Sequence, residues 1–165
     1  TKRLIIIEQE GIIPMKTSDD IKPDPTFVKA LNEISKLPEN MVFVVSRESK
    51  QQMHAWYADK APFLGLAAEN GFFWRWNSTN RGINDWQELF QFEDFNWIRQ
   101  VQHIMEMYNE KTEGAFIETK ESNIIWNFEN TEYEYGRMQA KELKSYIEQV
   151  FKNLPIIVNE YKTFI

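Results

Sequence analysis

The segment Arg3-Leu4-Ile5-Ile6-Ile7-Glu8-Gln9-Glu10-Gly11-Ile12-Ile13-Pro14 sets an apolar run against two carboxylates one residue apart, then a glycine and a second apolar pair. A continuous apolar run of this length, bounded by a turn signal, predicts a strand buried on both faces of a parallel sheet. Glu8 and Glu10 then fall at its carboxyl end, where open α/β sheets place their chemistry.

Working outward, the first sixty residues read as strand, loop, helix, strand, helix. Lys16 to Pro25 is a polar, proline-punctuated loop. Asp24-Pro25 supplies a helix cap followed by a first-turn proline. Phe27, Val28, Leu31, Ile34 and Leu37 recur at helical spacing and predict one buried face. Met41-Val42-Phe43-Val44-Val45-Ser46 is a second apolar, β-branched strand that ends in a hydroxyl. Such a serine either faces a site or simply caps the next helix.

Composition bounds the rest. The chain has 165 residues, enough for one ordinary domain or two small lobes. Its aromatic content of 15% supplies a packed core and argues against disorder. A net charge of −6, with no basic stripe to offset it, disfavours a nucleic-acid-binding role. No apolar run approaches the ~20 residues needed to span a bilayer, and the opening residues do not read as a signal-peptide pattern, because Ile5 to Ile7 are too short an apolar core and acids follow at once. Zero cysteines exclude disulfides and thiol chemistry and fit a reducing, cytoplasmic setting. With 2 histidines, a His-based metal site has little to draw on. His54 and His103 are expected on helix surfaces; Trp74, Trp76, Trp86, Trp97 and Trp126 could form a carbohydrate-stacking platform but are expected in a core or interface, where such residues more often lie.

From Pro62 the pattern changes. Leu64-Gly65-Leu66-Ala67-Ala68-Glu69-Asn70-Gly71 precedes an amphipathic stretch from Trp86 to Tyr108, with Phe95, Ile98, Val101, Ile104, Met105 and Tyr108 on one face. Gly114 to Phe128 offers two strand-like runs around a polar middle. Gly136-Arg137-Met138-Gln139-Ala140-Lys141-Glu142-Leu143 opens a helix whose expected apolar face is Leu143, Ile147, Val150 and Leu154, and Ile156-Ile157-Val158 is expected as a last strand.

These residues carry a family resemblance. The opening segment resembles the Asp-x-Asp-Gly-Thr motif of haloacid-dehalogenase-like phosphatases, and more narrowly the trehalose-6-phosphate phosphatase branch, found alone or behind a trehalose-6-phosphate synthase domain. Leu66 to Gly71 is similar to that branch's Leu-Ala-Ala-Glu-His-Gly, with Asn70 in place of His. Glu118-Thr119-Lys120 matches its Glu-x-Lys, and Gly136 to Leu143 its Gly-x-x-Gln-Ala-x-Glu-Leu. The resemblance implies an α/β fold: a partial haloacid-dehalogenase (Rossmann-like) core over residues 1–61 and an inserted α+β cap lobe over 62–165.

The same resemblance assigns roles. The family's nucleophile, general acid/base and phosphate-seating Thr correspond to Glu8, Glu10 and Ile12, and all three depart from the pattern. Glu reaches ~1.5 Å further than Asp, where a misplacement of ~1 Å costs ~100-fold in rate. Glu10 would be equally out of register for proton transfer, and Ile12 has no hydroxyl. Ser46 corresponds to the second-motif hydroxyl that bonds phosphoryl oxygens, with Arg47 where relatives carry Gly. Glu118 and Lys120, two apart on a strand, could share a face toward sugar hydroxyls, or be a surface ion pair worth under ~1 kcal/mol. Glu69 joins them as a weaker substrate-binding candidate, because Glu-Asn-Gly also serves as a plain turn. Glu8 and Glu10 could together hold Mg²⁺ with water, or form a polar strand end without a ligand. No cofactor is expected unless that site is retained. The family's third-motif Lys and fourth-motif acidic pair are expected downstream of the cap, so the chain reads as part of something longer. Unpaired sheet edges then favour self-association or pairing with further polypeptide.

Three functional readings follow. The first is a catalytically degenerate, structural or regulatory phosphatase-like domain in trehalose biosynthesis, partnered by a synthase domain of the same protein. The second is an active Mg²⁺-dependent trehalose-6-phosphate phosphatase in a longer chain, with Glu8 as nucleophile. The third is a non-catalytic module that binds trehalose 6-phosphate.

Overall fold

The strand expected at the front of the chain is β1, Arg3–Glu8, and it pairs in parallel with β4, Asn40–Val45, in a register that sets Glu8 opposite Val45. The computed structural model describes residues 2–17, 21–76, 86–89, 96–154 and 156–165, with backbone only at 16, 17 and 21. Its contacts divide the chain into two units, Thr1–Gln91 and Phe92–Ile165.

In the first unit β5, Gly65–Ala68, continues the parallel set, with Val45 opposite Ala67. Two antiparallel strands, β6 (Phe73–Arg75) and β7 (Gln87–Glu88), complete a five-stranded sheet in the order β1-β4-β5-β6-β7. The sequence reading had started the second lobe at residue 62. Instead β5 and β6 hydrogen-bond onto the first sheet, and the units divide some thirty residues later. The loop expected at Lys16 to Pro25 contains a small hairpin, β2 (Met15–Thr17) and β3 (Ile21–Pro23).

Helix α1, Pro25–Ser35, begins as its sequence dictates: the Asp24 carboxylate accepts from Thr26 N at 2.7 Å and Pro25 fills the first turn. Its Val28 and Leu31 join Met53, Trp56 and Tyr57 of α2, Lys50–Tyr57, in one core with Val42, Val44, Leu66 and Phe73. Ile34 and Leu37, expected on that face, are exposed. They lie at the helix end, where the chain turns toward β4 and Asn40 Nδ2 donates to the Ile34 carbonyl.

β1 is not buried on both faces. Ile5 and Ile7 pack against the core, but Leu4 and Ile6 are 62% and 63% exposed. Among the described residues β1 pairs only with β4, so it is an edge strand, and both helices pack into the cluster on the Val42–Val44 face. On the other face Phe43 meets Trp76 edge-on at 5.2 Å, and Trp76 meets Trp74 at 5.5 Å. Gly65 lies opposite Phe43, and a Cβ there would come within 2.7 Å of the Phe43 ring.

The second unit has its own core. Helix α3, Asn96–Asn109, contributes Val101, Ile104, Met105 and Tyr108. Phe95, expected on the same face, lies outside the described residues. The hairpin of β8 (Phe116–Thr119) and β9 (Ile124–Asn127) contributes Trp126, fully buried. Helix α4, Tyr133–Val150, starts three residues before Gly136 because Glu132 caps it, accepting from Glu134 N and Tyr135 N. Ala140, Leu143 and Ile147 form its buried face, while Val150 and Leu154 are exposed. Ile156 to Val158 form no strand. The pairing occurs further on: Trp126 and Ile165 exchange both backbone hydrogen bonds, and Phe128 N donates to the Thr163 carbonyl.

Candidate functional site

The register of β1, β4 and β5 brings three turns to one edge of the sheet. Gln9 N donates to the Val45 carbonyl at 2.8 Å, Ser46 N to the Ala67 carbonyl at 2.9 Å, and Asn70 N to the Ser46 carbonyl at 2.9 Å. Glu8, Glu10, Ser46 and Glu69 therefore gather at the carboxyl end of the parallel strands, as open α/β sheets require. Glu118 and Lys120 belong to the second unit: Glu118 on β8 opposite Ile125, and Lys120 just past its end, donating its backbone N–H to the Asn123 carbonyl.

Within the gathered set the hydrogen bonds are specific. Ser46 Oγ, only 1% exposed, donates to Glu10 Oε1 at 2.6 Å, and Arg47 N donates to the same oxygen at 3.1 Å. Ser46 Oγ also accepts from Glu48 N at 3.1 Å. Ser46 therefore does not cap the helix that follows; Ser49 does, accepting from Gln52 N. Glu8 stands exposed at the strand tip, and Ile12 is exposed in the turn that follows.

The sequence reading passed over Gln9. It is 3% exposed and accepts from the Tyr57 hydroxyl at 3.0 Å, while its Nε2 approaches Met15 Sδ at 3.9 Å. Burial, and secondarily the charge of Glu10, hold the Tyr57 phenol well above its ordinary value. Strand alternation was the available signal: with Glu8 facing solvent, the next residue points inward. Glu69 is more than a plain turn residue. It is 4% exposed, and with Asn70 and Gly71 it forms three successive residues at positive φ (48°, 59° and 92°). Its backbone N–H donates to the Glu48 carbonyl. Two non-glycine residues in that region are costly unless the surroundings fix them.

The histidines split. His54 is on the α2 surface, but its Nδ1 lies 3.2 Å from Nη1 of buried Arg75, whose pKa burial lowers and Asp59 partly restores. His103 sits exposed on α3 near Glu106. Trp126 is core, and Trp86 lies beneath the Arg75 guanidinium at 5.4 Å.

A Mg²⁺ site is poorly served by these residues. The ion demands near-octahedral oxygen donors, whereas one Glu10 oxygen is already held by a hydroxyl and an amide, and Glu8 stands out in solvent. Among the described residues no group of three or more His, Cys, Asp or Glu could hold a metal ion. No chemical step through the metal follows from this donor set.

Comparison with known proteins agrees with the fold. A family model described as trehalose-phosphatase matches residues 11–165, beginning just beyond Glu10. Two Arabidopsis thaliana proteins named as probable α,α-trehalose-phosphate synthases (UDP-forming), 10 and 11, are 36% and 34% identical over 159 and 158 residues. Each match covers 96% of this chain and 18% of the relative, so the chain spans about a fifth of their length. The C-terminal domain of Candida albicans trehalose-6-phosphate phosphatase superposes with a TM-score of 0.84 at 24% identity, covering 99% of this chain and 56% of that one. That likeness, with the parallel-containing sheet, gives the α/β haloacid-dehalogenase-like fold. On the strength of a family match running from residue 11 to the last residue, the chain belongs to the trehalose-phosphatase family.

Proposed function

We propose that this chain is a trehalose-phosphatase-like domain of a trehalose-phosphate-synthase-type protein in trehalose biosynthesis, and that it serves there as a non-catalytic structural or regulatory domain. One observation carries the reading: the Glu10 carboxylate and the Ser46 hydroxyl satisfy each other at 2.6 Å. By the family resemblance the first should transfer a proton and the second should seat phosphoryl oxygens. Bonded to each other, each occupies the group the other would offer to a substrate.

Glu8 as nucleophile and Ile12 in place of a hydroxyl weaken the centre further, since in-line attack depends on placement to about 1 Å. The relatives' names and the 18% share of their length support a synthase domain as partner within the same polypeptide. The absence of cysteine supports a cytoplasmic setting.

The test is single-turnover trapping. The parent polypeptide is mixed with trehalose 6-phosphate and Mg²⁺, quenched in acid and analysed by mass spectrometry. No phosphoryl adduct is expected. A phosphorylated Glu8 would overturn the reading.

A further inference from the structure

The turn after β1 and the turn after β4 meet at one carboxylate oxygen. Ser46 Oγ and Arg47 N both donate to Glu10 Oε1, at 2.6 and 3.1 Å. Convergent O–H and N–H donors on a single oxygen are the chemistry of an oxyanion site, and a charged acceptor makes such bonds shorter and stronger than a neutral one. The anion held here is a side chain of the chain itself.

The donors are held in place without help from Glu10. Ser46 N donates to the Ala67 carbonyl, and the Ser46 carbonyl accepts from Asn70 N, which fixes this backbone from both sides. Ser46 Oγ accepts from Glu48 N on one side and donates on the other, and bonds in such a chain polarise one another. The hydroxyl is buried, away from competing water.

The carboxylate is held as firmly from its own side. Gln9 N donates to the Val45 carbonyl, the Tyr57 hydroxyl donates to the Gln9 side chain, and Ile12 N and Ile13 N both donate to the Gln9 carbonyl. Gly11, at φ +82°, supplies the left-handed reversal directly after Glu10. A carboxylate tethered in this way acts at an effective concentration well above that of an ordinary solute. Its reach is that of glutamate, one methylene longer than aspartate.

We propose that Glu10 is a tethered ligand: Ser46 Oγ–H and Arg47 N–H form a binding site for a small oxyanion, and the Glu10 carboxylate fills it, closing the strand tip to carboxylates and other oxyanions from solution. The inference rests on the non-catalytic reading of the tip and names the contact that keeps it shut.

Hydrogen–deuterium exchange of the parent polypeptide tests it, read by mass spectrometry on the peptides covering residues 42–53, with sodium acetate as the probe at constant ionic strength. In the native protein these amides are expected to be protected and acetate to leave their exchange unmoved. Glu10→Ala is expected to speed exchange there roughly tenfold. Acetate then restores protection saturably, whereas acetamide, its neutral isostere, does not. Glu10→Asp keeps the charge and loses the reach; it is expected to show the same loss and the same rescue, and it carries the test should Glu10→Ala fail to fold. Unchanged exchange across α1 and β5 is the folding control. Four results would each overturn the inference: native exchange that acetate alters, variant exchange no faster than native, no rescue by acetate, or equal rescue by acetamide. Any of them can occur while Glu8 stays unphosphorylated in the trapping experiment, so this inference fails separately from the reading beneath it.

Discussion

Ser46 Oγ donates to Glu10 Oε1 at 2.6 Å, across 36 positions of sequence, and closes the β1 turn onto the end of β4. The pair tethers two loops through a buried hydroxyl, so removing the hydroxyl leaves the Glu10 oxygen and the Glu48 amide each short of a partner.

Ser46→Ala is therefore expected to destabilise the first unit by about 1.5–3 kcal/mol, the range for a hydrogen bond to a charged group. Urea denaturation followed by tryptophan fluorescence measures it. An unchanged midpoint would mean that the contact contributes nothing.

Tyr57 gives a pH dependence of defined sign. Its folded pKa lies above the unfolded value of 10.0, because burial and then Glu10 disfavour the phenolate. The protonated form is the one that folding favours. This contribution is fully present below pH 10 and is lost as pH rises above it toward the folded pKa. Tyr57→Phe is expected to flatten the alkaline fall in stability. At neutral pH it should cost about 1–3 kcal/mol, since buried Gln9 loses its donor. Denaturation midpoints of both proteins between neutral and strongly alkaline pH supply the check.

Gly136 sits inside α4, where alanine is ordinarily better by about 1 kcal/mol. Here a Cβ would collide with Thr131 Oγ1 and come within 2.9 Å of Phe128 Cδ2. Gly136→Ala is expected to lower stability rather than raise it, and thermal denaturation decides the sign.

Much of this was legible because local chemistry and tertiary context agreed. Asp24-Pro25 announces α1, the apolar runs announce β1 and β4, and the motif residues gather at the strand ends. The open second face of β1 was not legible, because burial depends on what covers a face, and the same Leu-Ile run serves a central strand or an edge. Nor was the division at Gln91, since Gly65-Leu66-Ala67-Ala68 carries no mark of which sheet it joins. The Ser46–Glu10 bond escaped as well. Each residue had a role from its motif, and only the folded register shows that they meet.

The open face of β1 makes a further prediction. Leu4, Ile6 and Met41 expose apolar surface beside an edge strand, a setting that favours association. Sedimentation of the 165-residue chain is expected to show concentration-dependent oligomers. Ile6→Lys should suppress them with little change in stability, and oligomers that persist unchanged would assign association to another surface.

The most direct test is steady-state phosphate release from trehalose 6-phosphate by the whole parent polypeptide in Mg²⁺, beside its Glu8→Gln variant. The account expects both to release phosphate at the rate of the buffer blank. Sustained turnover that vanishes in the Glu8→Gln protein would contradict it.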